Sequence, residues 1–253
     1  MNNKPWEAIF DKYKILQHNF SKSPFGITAE QIKRATKHFK STNEKEVRIL
    51  CKQDAREDRP PVFVDKNLFL LPIKNGLYVI VKGEGYLDLP EISETVKVYK
   101  SKLDFSLDTA TVGNSEMQHL DFAYASSLIR TFLEDDSLVL TIRGRKYTPK
   151  FSFRVGKQNI EVEGVQTEID AGYEGKNQIA LIEAKNSKTN NVIIRQLFYP
   201  LRQWSHHTKK DVVTLFFEKR EGSYHLWQFK FSDRNEYNSV ELVRSRKFKI
   251  VEK

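Results

Sequence analysis

The sequence predicts an α/β protein, a mixed-sheet core flanked by helices and preceded by a helical module that closes in a β-hairpin. Two observations carry this. Apolar spacing is helical near the start of the chain and turns to strand-like runs from about Leu68. From residue 114 onward the order reads helix, three or four strands, helix, two strands, the pattern of a sheet covered by helices. No internal repeat, low-complexity run or Gly/Ser linker interrupts the chain. The expected division is 1–100 for the helical and hairpin module and 101–253 for the core.

The elements follow from local chemistry. Pro5 to Leu16 predicts a helix, with Trp6, Ile9, Phe10, Tyr13 and Leu16 on one face. A second helix starts at Thr28: Thr28-Ala29-Glu30-Gln31 is a capping box, and Ile27 and Ile32 are placed as its hydrophobic staple. A third is expected over Glu44 to Lys52. Leu68–Ile73 and Leu77–Val81 are apolar runs joined by Lys74-Asn75-Gly76, a hairpin signal. Helices followed by a hairpin resemble a winged-helix module, which would place a helix in the DNA major groove.

In the core, Ser115 to Glu134 predicts one long helix, with Met117, Leu120, Tyr124 and Leu128 on a face and Glu116 in its first turn. Leu138–Ile142, Lys150–Val155, Ile160–Asp170 and Ile179–Lys185 read as strands. Val192–Trp204 reads as a helix that Pro200 should kink or end. Val212–Glu218 and Tyr224–Phe231 complete the series as a hairpin.

Composition narrows the function. Apolar residues make up 39% and charged residues 30%, the balance of a globular protein with a charged surface. No run approaches the roughly 18 apolar residues of a membrane span. The start, Met1 to Trp6, lacks the apolar core of a signal peptide, so a cytoplasmic location without membrane contact is expected. The single cysteine, Cys51, excludes an internal disulfide and multi-cysteine metal sites. No Gly-rich phosphate loop of the G-x-x-x-x-G-K-[ST] type is present, which argues against a nucleotide cofactor. His206 and His207 are adjacent, and His119 and His225 have no sequence partner, so all are read as structural or surface residues. The net charge of +9 is uneven: residues 1–40 hold eight Lys/Arg against three Asp/Glu, and Arg234–Lys253 six against three. Such clusters suit a phosphate-bearing partner.

The chemistry concentrates between Val162 and Lys185. Period-two alternation puts Gln166, Glu168 and Asp170 on one face of a strand and Val165, Thr167 and Ile169 on the other. The next strand begins Ile-Ala-Leu-Ile and then presents Glu183 and Lys185 on a shared face, opposite Ala180, Ile182 and Ala184. Charges closing an apolar strand call for a reason. Phosphodiester hydrolysis supplies one, because a divalent cation needs hard oxygen ligands and the transition state gathers negative charge. Asp170 and Glu183 are the candidate carboxylates, the Ala184 carbonyl a further ligand, and Lys185 the cation beside the attacking water. Glu168 shares the Asp170 face and is a weaker candidate, as are Glu161 and Glu163.

Asp170, a twelve-residue gap and then Glu183-Ala184-Lys185 resemble the signature of the PD-(D/E)XK nuclease superfamily. The wider pattern, from Arg48-Ile49-Leu50-Cys51-Lys52 through Arg59-Pro60-Pro61 to Gly144-Arg145, is similar to bacterial type II restriction endonucleases. The resemblance implies a restriction-endonuclease-like core and magnesium-dependent hydrolysis of double-stranded DNA at a specific sequence, leaving 5′-phosphate ends. It implies metal ligation by Asp170, Glu183 and Ala184, catalysis by Lys185, and supporting roles for Glu116 on the first core helix and Gln196 on the helix after the lysine. Ile169 stands where the signature often has proline. Expected DNA contacts are Arg143 and Arg145, read as following a strand, Asn186-Ser187-Lys188 after the lysine, Arg195 and Arg202 on the next helix, and Lys33, Arg34 and Lys37 of the N-terminal module. A two-fold target suits a two-fold protein, so a homodimer is expected. A resolvase or repair nuclease of the same superfamily, or a non-catalytic DNA-binding regulator, are the alternatives.

Overall fold

The computed structural model describes residues 3–252. Met1, Asn2 and Lys253, at the ends of the two expected domains, lie outside them. The N-terminal module comprises α1 (Asn3–Lys12), β1 (Phe25–Thr28), α2 (Ala29–Thr36), α3 (Val47–Leu50), α4 (Pro61–Asp65), β2 (Leu68–Lys74) and β3 (Leu77–Lys82). Its sheet runs β1-β3-β2, antiparallel throughout. The capping box forms: the Gln31 amide donates to Thr28 Oγ1 at 3.1 Å and the Thr28 amide to Gln31 Oε1 at 2.8 Å. The first helix is shorter than its apolar spacing suggests, ending at Lys12 before a 3₁₀ turn at Ile15–Gln17, because Lys14 sits in the left-handed region with φ of 51°. Of the third expected helix only the single turn of α3 forms.

Next come β4 (Tyr86–Asp88), β5 (Lys97–Lys100), α5 (Glu116–Ala125), α6 (Leu128–Leu133), β6 (Val139–Tyr147), β7 (Phe151–Val155), β8 (Gln158–Val162), β9 (Gln166–Glu174) and β10 (Gln178–Lys185). They are followed by β11 (Asn191–Ile193), α7 (Arg195–Ser205), β12 (Asp211–Arg220), β13 (Ser223–Phe231) and β14 (Val240–Val251). A seven-stranded sheet of order β5-β14-β13-β12-β10-β9-β6 forms the core. It is mixed, with β10–β12 and β14–β5 parallel and the other pairs antiparallel. Helices α5 and α6 cover one face, where Leu120, Ile129 and Phe132 meet Ala180, Ile182 and Ala184 of β10. On the other face Leu201 of α7 packs on Ile179 and Leu181. The chain is therefore a mixed α/β protein. No helix of the described residues is long and apolar enough to cross a membrane.

Four local expectations are corrected. The long helix over Ser115–Glu134 is two, because Ser127 takes φ of 65° and the Ser126 carbonyl accepts from the Lys102 amide and Tyr99 Oη instead of a helical donor. The strand over Ile160–Asp170 breaks at Gly164, where φ is 64° and the chain swings from the β7–β8 hairpin into the main sheet. Residues 191–193 pair with β4, so the expected helix begins only at Arg195, and it continues past Pro200 to Ser205. Arg143 and Arg145 lie inside β6, not after it.

The β2–β3 hairpin is buried on both faces, because alternation divides its side chains between two cores. Leu68, Leu70 and Ile80 join Trp6, Phe10 and Phe63 in the N-terminal module. Phe69, Leu71, Val79 and Val81 join Phe153, Ile160, Phe198 and Tyr237 of the core. Backbone bonds from Ile193 to the Asp54 carbonyl (2.8 Å) and from Glu163 to the Ile73 carbonyl (3.0 Å) stitch the same seam.

The close approach of β9 to β6 tolerates only glycine at 172, since a Cβ there would sit 2.7 Å from Ile142 Cβ. Gly172→Ala should destabilise the protein by about 1–3 kcal/mol through overpacking, read as a lowered midpoint in urea unfolding. An unchanged midpoint would mean the two strands separate more easily than their packing implies.

Candidate active site

The site is a fork between two strands. β9 and β10 pair from Glu174–Ile179 to Ala171–Ile182 and then part. Register along β6 explains the parting: Ile142 faces Gly172 but Gly144 faces Ile169, so β9 carries an extra residue at Asp170–Ala171. This bulge puts Ile169 in the α7-side core and Ala171 in the opposite one. Asp170, between them, turns toward β10. Beyond the last paired residues the Ala184 amide would be left without a ladder partner, and Asp170 Oδ2 accepts it at 2.7 Å. Arg143 braces the bulge, donating from Nε to the Asp170 carbonyl at 3.1 Å while its Nη atoms hold the Asp121 carboxylate of α5.

On β10, Glu183 Oε1 accepts from Lys185 Nζ at 2.6 Å and from Gln196 Nε2 of α7 at 2.8 Å. Lys185 Nζ also donates to the Ala184 carbonyl at 3.0 Å. One oxygen of each carboxylate is thus held by the protein. Among the described residues no hydrogen bond reaches Asp170 Oδ1 or Glu183 Oε2. Burial pushes Glu183 up to about 7, with Lys185 opposing and Asp170 adding to the rise. Burial also raises Asp170, against the Ala184 amide and Lys185. For Lys185, burial pulls down, but the Glu183 carboxylate more than restores it, so the ammonium lies above its ordinary range.

These groups line an open cleft of about 590 Å³ together with Glu116, Arg145, Glu168 and Arg195. Glu116, in the first turn of α5, is close enough to Lys185 to help hold its proton. Glu168 reaches the cleft but is paired with Arg145 at 3.2 Å, both largely exposed. Other candidates fall elsewhere. Arg202 stacks over the Phe151 ring and donates to the Ser152 carbonyl at 3.0 Å, on the far side of α7. Asn186 ties the loop after β10 to the Asn114 carbonyl at 2.7 Å, and Ser187 and Lys188 stay exposed beside it. On α2, Lys33 pairs loosely with Glu30 at 3.6 Å, while Arg34 and Lys37 stand exposed and outside the cleft. Asp54 of the N-terminal module enters the cleft wall and faces Arg195 at 3.5 Å. No local pattern marked it, because it lies in a loop and arrives only through the seam.

The donor set suits a hard divalent cation. Two carboxylates, each with a free oxygen, and a carbonyl between them are oxygen ligands of the kind magnesium takes, with water and substrate supplying the rest. Burial is what raises both carboxylates, and Lys185 opposes the rise in each. Among the described residues no cluster of three or more His, Cys, Asp or Glu side chains is placed to hold a metal, so a bound ion would lean on substrate oxygens.

Fold and site together define a two-module mixed α/β protein with a carboxylate–lysine cleft at a strand fork. A family model for a domain of unknown function, DUF6997, matches residues 81–249, and another, DUF6996, matches residues 3–80. The first spans more than half of the chain, which belongs to that family. No curated protein and no solved structure matches the chain.

Because Glu183 titrates near 7 when folded but near 4.5 when unfolded, the folded state binds more protons between those values. Stability should therefore fall as pH rises from about 5 to about 8 in chelator, with Asp170 contributing in the same sense. Glu183→Gln should flatten that slope. Thermal melts across the range test this, and an equally steep slope in the variant would remove Glu183 as its source.

Proposed function

We propose that this protein is a magnesium-dependent DNA endonuclease of the PD-(D/E)XK type, acting as a type II restriction enzyme. The observation that supports it best is the convergence of Asp170, Glu183, Lys185, Glu116 and Gln196, from four elements, on one polar cleft. Their order on the chain and their place on α5, β9, β10 and α7 support the core order helix, hairpin, strand, helix, strand that the resemblance implies.

Asp170 and Glu183, with the Ala184 carbonyl, would hold the ion. Bound there, magnesium would polarise the scissile phosphate and ease ionisation of the attacking water. Lys185 orients that water and offsets the charge that builds on the phosphorus oxygens, the role of a preorganised cation in a half-dry site. The Ala184 amide holds one oxygen of Asp170, and Gln196 holds one oxygen of Glu183, on the lining of the same cleft. Glu183, with a smaller contribution from Glu116, keeps Lys185 protonated. In the N-terminal module, the order helix, strand, three helices, strand, strand with the sheet order β1-β3-β2 supports a winged-helix-like reading, in which α3 and α4 are single turns. Arg145 and Arg195 line the same cleft and are cations for substrate phosphates. A homodimer would match a two-fold target.

Asp170→Asn, Glu183→Gln and Lys185→Ala should each lower cleavage of supercoiled plasmid in magnesium by at least about 100-fold. Glu168→Gln, already paired with Arg145, should keep most activity. Metal titration separates the roles: the carboxylate variants should bind the ion weakly, and Lys185→Ala should bind it at least as well as wild type. An inactive Glu168→Gln beside an active Asp170→Asn would overturn the ligand assignment.

A further inference from the structure

The cleft continues beyond the carboxylates. A second groove, about 550 Å³, follows the seam between the two modules and shares Arg48, Lys52, Asp54, Gln166 and Arg195 with the first. One of its walls comes from the N-terminal module, including the Lys74–Gly76 turn and Tyr78. Three features of its lining are unusual for an ordinary surface crease.

Its cations are in surplus. Lys33, Arg48, Lys52, Lys74 and Arg195 line it against Glu46 and Asp54. Arg48 and Lys74 are exposed and, among the described residues, enter no ion pair or side-chain hydrogen bond. Lys52 reaches Asp54 only at 3.9 Å. Like charges held along one groove repel, and a polyanion laid between them relieves the repulsion.

The groove also holds unsatisfied polar atoms. Gln53 is 2% exposed, yet neither its amide nitrogen nor its amide oxygen has a hydrogen-bond partner. Arg195 Nε is buried and unpartnered a short way along the same lining. Buried polar groups left without a partner are unfavourable, so a partner supplied from outside is favoured. Tyr78, Leu70 and Pro72 add apolar surface beside them, a mixture that suits sugar and base faces better than a small inorganic anion.

We propose that the seam groove is a second substrate subsite, which holds the nucleic-acid strand flanking the scissile phosphate. Arg48, Lys52 and Lys74 contact its phosphates, and Gln53 is the polar contact on the floor. The proposal rests on the nuclease reading. It makes the N-terminal module part of the cleavage cleft, where its three cations set the path of the strand across Asp170 and Glu183.

The test is equilibrium binding of a mixed-sequence 30-base-pair duplex in calcium, measured over a range of salt. Arg48→Gln/Lys74→Gln should weaken binding about 10-fold and make the dependence of log affinity on log salt shallower by about 2, one for each lost phosphate contact. Lys249→Gln, an exposed lysine of β14, should change neither the 10-fold term nor the path of the strand. Gln53→Met should weaken binding while leaving the salt slope unchanged. Both altered residues of the double variant are exposed, so its melting temperature should match wild type. If the double variant binds like wild type while Asp170→Asn fails to cut, the subsite is wrong and the nuclease reading stands. If the double variant loses affinity but wild type never cuts, the groove is a nucleic-acid site and the nuclease reading fails. A wild type that binds no duplex overturns both.

Discussion

The candidate site depends on one hydrogen bond, from the Ala184 amide to the Asp170 carboxylate. At that point β9 stops pairing with β10, and a backbone donor in mid-sheet must find another acceptor. A side-chain carboxylate supplies it, which holds Asp170 in the fork, on the lining of the cleft. The bulge in β9 makes the geometry possible by adding a residue where the strands diverge. Arg143 then ties the bulge to α5 through Asp121, so the first core helix and the fork move as one piece.

Placing two carboxylates here is costly, and the surroundings show how the cost is limited. Both are desolvated and both are raised as a result. A lysine on the same strand returns part of the lost stabilisation, and Gln196 adds a neutral donor that brings no further charge. Farther along the same lining, Arg145 faces Glu168 and Arg195 faces Asp54.

Much of this was legible in the sequence, and the reasons differ by element. The Thr28–Gln31 box and the hairpin at Lys74-Asn75-Gly76 are local chemistry and stand where the residues put them. Alternation over Gln166–Ile169 correctly separates exposed Gln166 and Glu168 from buried Thr167 and Ile169. The break at Ser127 was not legible, because it depends on the Lys102 amide reaching the Ser126 carbonyl from outside the helix. The strand β14 also escaped notice: its Val, Leu, Arg and Lys residues alternate poorly, since much of it is solvent-facing. The sequence offers Arg202 as a DNA contact, and only tertiary packing reveals that it lies over Phe151. Asp54 and Gln53 belong to the site through the seam, a relation between segments far apart in the chain.

The hairpin that faces two cores also bears on how the protein is made. The N-terminal core around Trp6 and Phe63 is complete once β3 has left the ribosome, but the other face of the same hairpin is not. Phe69, Leu71, Val79 and Val81 wait for β7, β8 and α7, and finally for Tyr237 close to the end of the chain. At about 5–20 residues per second that interval is roughly 8–30 s, long enough for an apolar ribbon to find the wrong neighbour. Nascent chains of this protein therefore carry a sticky surface until Tyr237 has emerged, and yield in the cell should respond to chaperone supply more than the finished fold's burial suggests.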